Sequence, residues 1–155
     1  MVKLFNQLSK KDQELIHLAE KVMVHGYDPY SLFFVGCALL TTKGNIYTGA
    51  NLSTPAYLGL CAERSAIGSA ITKGEYSFRK IALIAKSDYY DVTELSGPCG
   101  ICRQIIWEFS ELINKDITIL SSDTRKKNVL VTSIRKLHPH GFGPRLCGKN
   151  IDKYL

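Results

Sequence analysis

The sequence predicts an α/β domain built on a mixed β-sheet. Apolar runs typical of strands occur on either side of longer segments whose apolar residues recur at helical spacing. Seven residues, 121–127, separate the last two strand segments, whereas a parallel crossover needs a dozen or more. These two strands are therefore expected to be antiparallel. A chain of 155 residues can bury one substantial core, so residues 1–155 are expected to form a single domain.

The first third of the chain predicts a helix followed by a β-hairpin. Ser9-Lys10-Lys11-Asp12 resembles a capping box, and the helix that it opens is expected to end near Gly26. Residues 33–40 are almost wholly apolar, which is typical of a buried strand. A short polar turn then leads into a second strand over residues 46–50, so these two strands are expected to pair as an antiparallel hairpin.

The rest of the chain predicts alternating helices and strands. A second helix is expected to open at Cys61 and end at Gly74, with one apolar stripe. Pro98 is expected to start a third helix, which runs from Cys99 to about Phe109. The remaining predicted elements are strands over residues 81–85, 117–120 and 128–132 and a short helix over 133–137.

Three cysteines and a glutamate stand at spacings that indicate metal chemistry. They lie in Cys61-Ala62-Glu63-Arg64 and in Pro98-Cys99-Gly100-Ile101-Cys102-Arg103. Three thiolates satisfy a tetrahedral zinc ion apart from one position, which stays free for water. Glu63 is too close in the chain to Cys61 to be a convenient fourth ligand, but it is well placed to exchange protons with that water. The pattern predicts a catalytic zinc held by Cys61, Cys99 and Cys102, typical of zinc-dependent nucleobase deaminases, with Glu63 as the acid and base.

Arg64 and Arg103 directly follow parts of this pattern. Three thiolates give a zinc complex a net negative charge, which weakens its power to acidify water. Two helix N-termini and two arginines near the sulfurs can draw electron density away from the thiolates. We therefore expect Arg64 and Arg103 to lie next to the thiolate ligands and to offset their negative charge. The alternative is that the two arginines form ordinary surface ion pairs.

The cysteines also have simpler interpretations. A lone C-x-x-C can be a redox dithiol, and isolated cysteines are usually small core residues. Neither interpretation explains why C-A-E and P-C-x-x-C both occur, once each and in this order. Cys37 and Cys147 have no partner at metal-ligand spacing, and both are expected to be packing thiols.

Composition excludes several classes of protein. The formal net charge is +6 and the isoelectric point about 9.1, yet the basic residues are scattered and only Arg125-Lys126-Lys127 forms a run. A nucleic-acid partner is therefore not expected. No secretory signal or membrane-spanning run is found, so no membrane association is expected. Cysteines at metal-ligand spacing fit a reducing cytoplasm.

Several segments together resemble the small cytidine deaminases that act on free nucleosides, over nearly the full length of the chain. The resemblance implies a three-layer fold, a five-stranded mixed sheet with helices on both faces, and a homotetramer whose active sites lie at subunit interfaces. It also implies hydrolytic removal of the 4-amino group of cytidine or deoxycytidine, a reaction of pyrimidine salvage. The matching segments are Pro29-Tyr30-Ser31-x-Phe33-x-Val35-Gly36, Thr48-Gly49-Ala50-Asn51, Cys61 to Ile67, Pro98-Cys99-Gly100-x-Cys102-Arg103-Gln104 and Phe142-Gly143-Pro144.

The same resemblance implies roles for residues that contact the substrate. Phe33 is expected to pack on the nucleoside and Asn51 to hydrogen-bond the sugar, while the backbone around Ala62 reads the edge of the base. Tyr57 and Phe142 are expected to reach into the site of a neighbouring subunit. For Phe142, an ordinary core aromatic remains the alternative.

One position departs from the family's pattern. Two residues after the asparagine the family usually has a glutamate, but here Ser53 stands. Ser53 is still expected to contact the sugar, and its presence keeps open a modified cytosine substrate, as in blasticidin S deaminase. A polynucleotide-editing deaminase is disfavoured because such enzymes commonly insert a helix between the last two strands. A non-enzymatic zinc-binding module is disfavoured by the open coordination position.

Overall fold

A computed structural model describes residues 1–56 and 58–148 of the chain. Six strands form one sheet in the order β1-β6-β5-β4-β2-β3. The strands are β1 (Val2–Leu4), β2 (Phe33–Thr41), β3 (Ile46–Ala50), β4 (Phe78–Ser87), β5 (Thr118–Ser122) and β6 (Asn128–Ser133). The α-helices are α1 (Lys10–Met23), α2 (Ala62–Thr72), α3 (Gly100–Leu112) and α4 (Ile134–Leu137), and short 3₁₀ turns cover Phe5–Gln7 and Pro144–Cys147.

The sheet is mixed, as the sequence predicts. β4 and β5 run parallel, while β2–β3, β2–β4, β5–β6 and β1–β6 are antiparallel. The hairpin of β2 and β3 and the antiparallel pairing of β5 with β6 are thereby confirmed. The predicted count of five strands was wrong, because β1 adds an edge strand with Lys3 opposite Val129. A strand of only three residues is too short to show the alternating pattern that identifies a strand.

Helices cover both faces of the sheet, which confirms the three-layer prediction. On one face α1 buries its apolar stripe against sheet residues such as Ala38 and Ala82. On the other face α2 and α3 pack over Cys37, Leu39 and Ile81. The N-terminus of α1 is capped as expected, since Ser9 Oγ accepts a hydrogen bond from the Asp12 backbone N–H at 3.2 Å. No helix of the described residues is long and apolar enough to cross a membrane.

A close approach between β3 and α2 fixes where α2 begins. A Cβ atom added to Gly49 would lie 2.5 Å from the carbonyl oxygen of Ala62 and 2.3 Å from the backbone nitrogen of Ala66. Only a glycine lets the strand and the helix backbone come this close. The first turn of α2 is therefore held directly on the sheet, and the residues that the next subsection describes lie in that turn.

Candidate active site

The three predicted metal ligands meet at the N-termini of two helices. Cys61 is the N-cap of α2, Cys99 is the N-cap of α3, and Cys102 lies in the first turn of α3. The three Sγ atoms lie within 4.8 Å of one another, and the Cys61 and Cys99 sulfurs are 3.7 Å apart. A tetrahedral zinc with bonds of about 2.3 Å requires sulfur separations of about 3.8 Å. The Cys61–Cys99 separation therefore matches a zinc site, and all three sulfurs are close enough together to share one ion.

The two arginines behind the cysteines make different contacts. Arg64 donates from Nη2 to the carbonyl oxygen of Gly59 at 2.8 Å, and the same nitrogen lies 3.9 Å from the Cys61 sulfur. Arg103 instead donates from Nε to the carbonyl oxygen of Pro98 at 2.6 Å. Arg64 thus places positive charge beside a ligand atom, whereas Arg103 fastens the backbone that leads into Cys99.

The thiols of the cluster differ in acidity. A hydrogen bond from Cys102 and the nearby Arg64 lower the pKa of Cys61 to about 5, against the opposing effect of burial. The same hydrogen bond, together with burial, raises the pKa of Cys102. Cys61 is thus the more acidic of these two thiols. A metal that binds all three sulfurs must displace the thiol protons.

Glu63 is buried next to the cysteines. It follows Ala62 in the first turn of α2 and is only 5% exposed, which is rare for a glutamate. Burial is the main cause of a raised pKa for its carboxyl. A raised pKa makes this carboxyl a better proton acceptor than an exposed glutamate, which suits it to take up and release protons in general acid–base chemistry.

A cavity of about 420 Å³ brings most of the predicted site together. The predicted residues that line it are Phe33, Asn51, Ser53, Cys61, Ala62, Glu63, Arg64 and Cys99. Cys102 is buried behind this lining. Phe142 lies elsewhere on the surface with 62% of its area exposed, so it is not a core aromatic. Tyr57 lies outside the described residues.

Asn51 is largely committed to the protein itself. Its Oδ1 accepts from the backbone N–H of Val35 at 2.8 Å, and its Nδ2 donates to the carbonyl oxygen of Phe33 at 2.9 Å. One N–H and one lone pair of the side-chain amide remain for a ligand. Asn51 therefore holds the start of β2 in place and can offer at most a small part of its hydrogen-bonding capacity to a sugar.

Other cavity residues have no signal in the local sequence motifs. Glu94 and Ser96 come from the loop after β4, and Ser121 and Ser122 end β5. Ser121 donates through its hydroxyl to the carbonyl oxygen of Ser96, which ties the loop to the strand. Ser121 and Ser122 are polar residues at the end of a buried strand, and this is the sequence feature that could have identified this part of the cavity lining. The carboxyl ends of parallel strands commonly form ligand sites.

Comparison with known proteins agrees with this geometry. Residues 9–117 match the family described as the cytidine and deoxycytidylate deaminase zinc-binding region. A cytidine deaminase of Sporosarcina psychrophila is 37% identical over 131 residues, which cover 84% of this chain and 90% of that protein. A blasticidin-S deaminase of Bacillus cereus is 33% identical over 116 residues, covering 70% of this chain and 79% of that protein.

A solved structure has the same fold. The 1.6 Å crystal structure of cytidine deaminase from Burkholderia pseudomallei aligns with a TM-score of 0.72 at 31% sequence identity. The alignment covers 87% of this chain and all of that one. The family match takes in all three cysteines and Glu63. From its sequence, its fold and its cysteine cluster, this chain belongs to the zinc-binding cytidine and deoxycytidylate deaminase family.

Proposed function

We propose that this protein hydrolyses the 4-amino group of cytidine or deoxycytidine, giving uridine or deoxyuridine and ammonia. The observation that carries this proposal is a buried glutamate beside a three-cysteine cluster in one cavity, within a chain of the deaminase family. The cavity volume of about 420 Å³ is within the range typical of small-ligand sites.

Cys61, Cys99 and Cys102 would hold the zinc ion, and each has a defined place in the fold. When bound, zinc supplies a water whose pKa is lowered toward neutrality, so that a nucleophile is available at neutral pH. The thiol ligands sit at the positive ends of two helices, and Arg64 adds a full positive charge near Cys61. These charges offset the three negative thiolates and preserve the acidifying power of the metal.

Glu63 carries the protons of the reaction. It accepts one proton from the attacking water and delivers it to N3 of the pyrimidine, so that carbon 4 can become tetrahedral. It then passes the second proton of the water to the departing amine and is left ionised, ready for the next turnover. One water is consumed and one ammonia leaves, so the proton count closes.

The other cavity residues position the base. Phe33 lies in the cavity wall and presents an aromatic surface for the nucleoside. The backbone around Ala62 is at the start of α2 beside the metal cluster, where it can read the polar edge of the base. Both contacts would hold carbon 4 near the zinc and N3 near Glu63.

We further propose that the enzyme is a cytoplasmic homotetramer. Phe142, Leu58 and Leu146 are large apolar side chains with 62%, 74% and 73% of their surface exposed. Exposed apolar groups of this size are typical of surfaces that associate. All five cysteines, each within the described residues, are free thiols, which fits a reducing compartment. A fully active monomer in sedimentation at micromolar concentration would contradict the tetramer.

A second candidate substrate is blasticidin S. One relative at 33% identity is a blasticidin-S deaminase, and Ser53 stands where the resemblance would place a glutamate. The candidate shares the zinc and Glu63 chemistry and differs in what the far end of the cavity accepts.

Direct assays decide between these candidates. The purified zinc enzyme should be given cytidine, deoxycytidine, their monophosphates and blasticidin S side by side, with release of ammonia as the readout. We expect the free nucleosides to give the highest kcat/KM. Turnover of blasticidin S alone would replace the proposed substrate, and no turnover of any cytosine compound would overturn the proposal.

A further inference from the structure

Glu94 brings a second carboxylate to the main cavity, apart from the proton carrier Glu63. It lies in the loop between β4 and α3, it is exposed, and it lines the cavity of about 420 Å³. Among residues 1–56 and 58–148, no group forms a hydrogen bond or an ion pair with its carboxylate. Neither the fold nor the proposed proton pathway uses this charge, so it is available to act on a ligand.

The loop that carries Glu94 is held on both sides of it. The backbone N–H of Val92 donates to the Thr124 hydroxyl at 2.8 Å, and the backbone N–H of Thr124 donates to the carbonyl oxygen of Val92 at 3.0 Å. The Ser121 hydroxyl donates to the carbonyl oxygen of Ser96. These anchors stand two residues before and two residues after Glu94. Its backbone is therefore tied to β5 and to the turn that follows β5.

The rest of the cavity offers little positive charge. Of the lining residues that the structure describes, Arg64 is the only cation, and Glu63 and Glu94 are the acidic ones. The Arg64 guanidinium donates to the carbonyl oxygen of Gly59 at 2.8 Å and lies 3.9 Å from the Cys61 sulfur. Proteins bind phosphate groups through cationic side chains or clusters of backbone N–H groups. A phosphate in this cavity would find its one cation already in use and would face Glu94.

Depth in the cavity separates the two carboxylates. Glu63 is only 5% exposed and lies beside the metal cluster, whereas Glu94 lies on an exposed loop. A base whose carbon 4 is near the metal therefore occupies the deep end. The sugar and its substituents then extend toward the solvent side, where Glu94 stands.

We propose that Glu94 selects substrates by the charge on the sugar. It disfavours cytosine nucleosides that carry a phosphate on the 5′ oxygen and favours those whose sugar is uncharged or carries an amine. The inference rests on the proposed function, because it assumes that a cytosine base occupies the metal end. Glu94 takes no part in the chemistry. Its charge acts across space, so it can reject a phosphate without touching it.

Three substrates that differ in charge test this role in the zinc enzyme. They are cytidine, cytidine 5′-monophosphate and 5′-amino-5′-deoxycytidine, which carry no charge, a negative charge and a positive charge on the sugar. Glu94→Gln keeps the size of the side chain and removes its charge. It should raise kcat/KM for the monophosphate about three- to ten-fold, lower it about two- to five-fold for the amine and change it less than about two-fold for cytidine. General destabilisation cannot move two substrates in opposite directions.

Salt and a second variant sharpen the test. The range of charge interactions falls from about 8 Å at 0.15 M salt to about 3 Å at 1 M, so the parent and Glu94→Gln should converge at high salt. Asp88→Asn is the matched control, because it makes the same change of charge in the same loop and Asp88 does not line the cavity. It should leave all three substrates unchanged. If turnover of the monophosphate is too slow to measure, its inhibition constant against cytidine gives the same comparison.

The outcomes are distinct. A parent enzyme that deaminates cytidine, with Glu94→Gln keeping the same ratios among the three substrates, overturns the inference and leaves the proposed function standing. A parent that prefers the monophosphate, or a control that shifts the ratios as far as Glu94→Gln does, also overturns the inference alone. A parent enzyme that deaminates none of the three overturns both.

Discussion

The two ends of the main cavity are built in different ways. At the metal end, every functional group lies at the start of a helix, and the backbone of α2 rests directly on β3 at Gly49. At the other end, which we call the Ser53 end, Ser53 sits in a loop that also borders a second cavity lined by Asp28. The metal end is therefore fixed by regular backbone geometry, and the Ser53 end by loops that a few substitutions could rearrange.

This difference fits the activities of the relatives. Proteins at 37% and 33% identity to this chain are a cytidine deaminase and a blasticidin-S deaminase. Both kinds of substrate contain the same reacting cytosine and differ in what is attached to it. An enzyme with a rigid chemical end and an adjustable recognition end can change substrate without changing its reaction. The predictions below test the two ends separately, beginning with the larger effects expected at the metal end.

The largest effect is expected from Cys102→Ala. Removing one of the three sulfur ligands should abolish stoichiometric zinc binding. All measurable deamination should be lost with the metal. Cys37→Ala is the matched control, because Cys37 is another fully buried thiol in the same core. The control should lower thermal stability yet keep its zinc, as measured by atomic absorption. Loss of zinc from Cys37→Ala as well would mean that general destabilisation releases the metal.

Glu63→Gln should keep both the fold and the zinc while losing turnover. The amide cannot carry protons, so kcat should fall by about 10²- to 10⁴-fold. Glu75 provides the control, since it is also buried but accepts hydrogen bonds from Asn45 and Tyr47. Glu75→Gln should reduce stability with little change in kcat. Wild-type turnover by Glu63→Gln would disprove the assigned proton carrier.

Gly49→Ala should damage the metal end without touching a ligand. Its Cβ would press on the first turn of α2, which contains Glu63, so both melting temperature and kcat should fall. Gly68→Ala is the control within the same helix, because a Cβ there meets nothing within 4 Å. It should raise stability by up to about 1 kcal/mol, as alanine does in a helix interior. Equal kcat values for the two variants would show that the position of α2 is not critical.

The smallest effect is expected at the Ser53 end, from Ser53→Glu. Asp28 is only 6% exposed and lines the same second cavity as Ser53, so a new carboxylate at position 53 should repel it and disturb the loop. KM for cytidine should rise a few-fold with kcat preserved. Adding Asp28→Asn should remove the repulsion and bring KM back down. If Ser53→Glu alone lowers KM for cytidine, residue 53 recognises the sugar independently of Asp28. If KM does not change for any nucleoside, position 53 does not contact the sugar.

The contrast between the two ends also explains what could be predicted from sequence. Cys61, Glu63, Cys99 and Cys102 could be identified because a helix start converts short spacings along the chain into proximity in space. The hairpin and the antiparallel last strands followed from hydrophobic runs and a short connection. Within each motif and each strand pair, these features depend on residues that are close together in the sequence.

The remaining features depend on contacts between distant segments. Asp28 and Ser53 are separated by a complete hairpin, and nothing in either loop alone indicates that both line one cavity of about 480 Å³. β1 was missed because it is only three residues long and pairs with β6, which lies more than a hundred residues later in the sequence. The commitment of Asn51 to the backbone of β2 was also hidden, since an asparagine in a sequence does not reveal which groups use its hydrogen bonds.

The separation of Cys61 and Cys99 has a consequence for folding. These two ligands are 38 positions apart in the sequence, and the segment between them includes α2 and β4. A metal that joins the two sulfurs cross-links the chain across this segment. Closing a flexible loop of that length costs about 3 kcal/mol of chain entropy. Metal binding thus couples β3 and α2 to the N-terminus of α3. When the metal is removed by a chelator, amide hydrogen exchange should become faster first where α3 packs on the sheet.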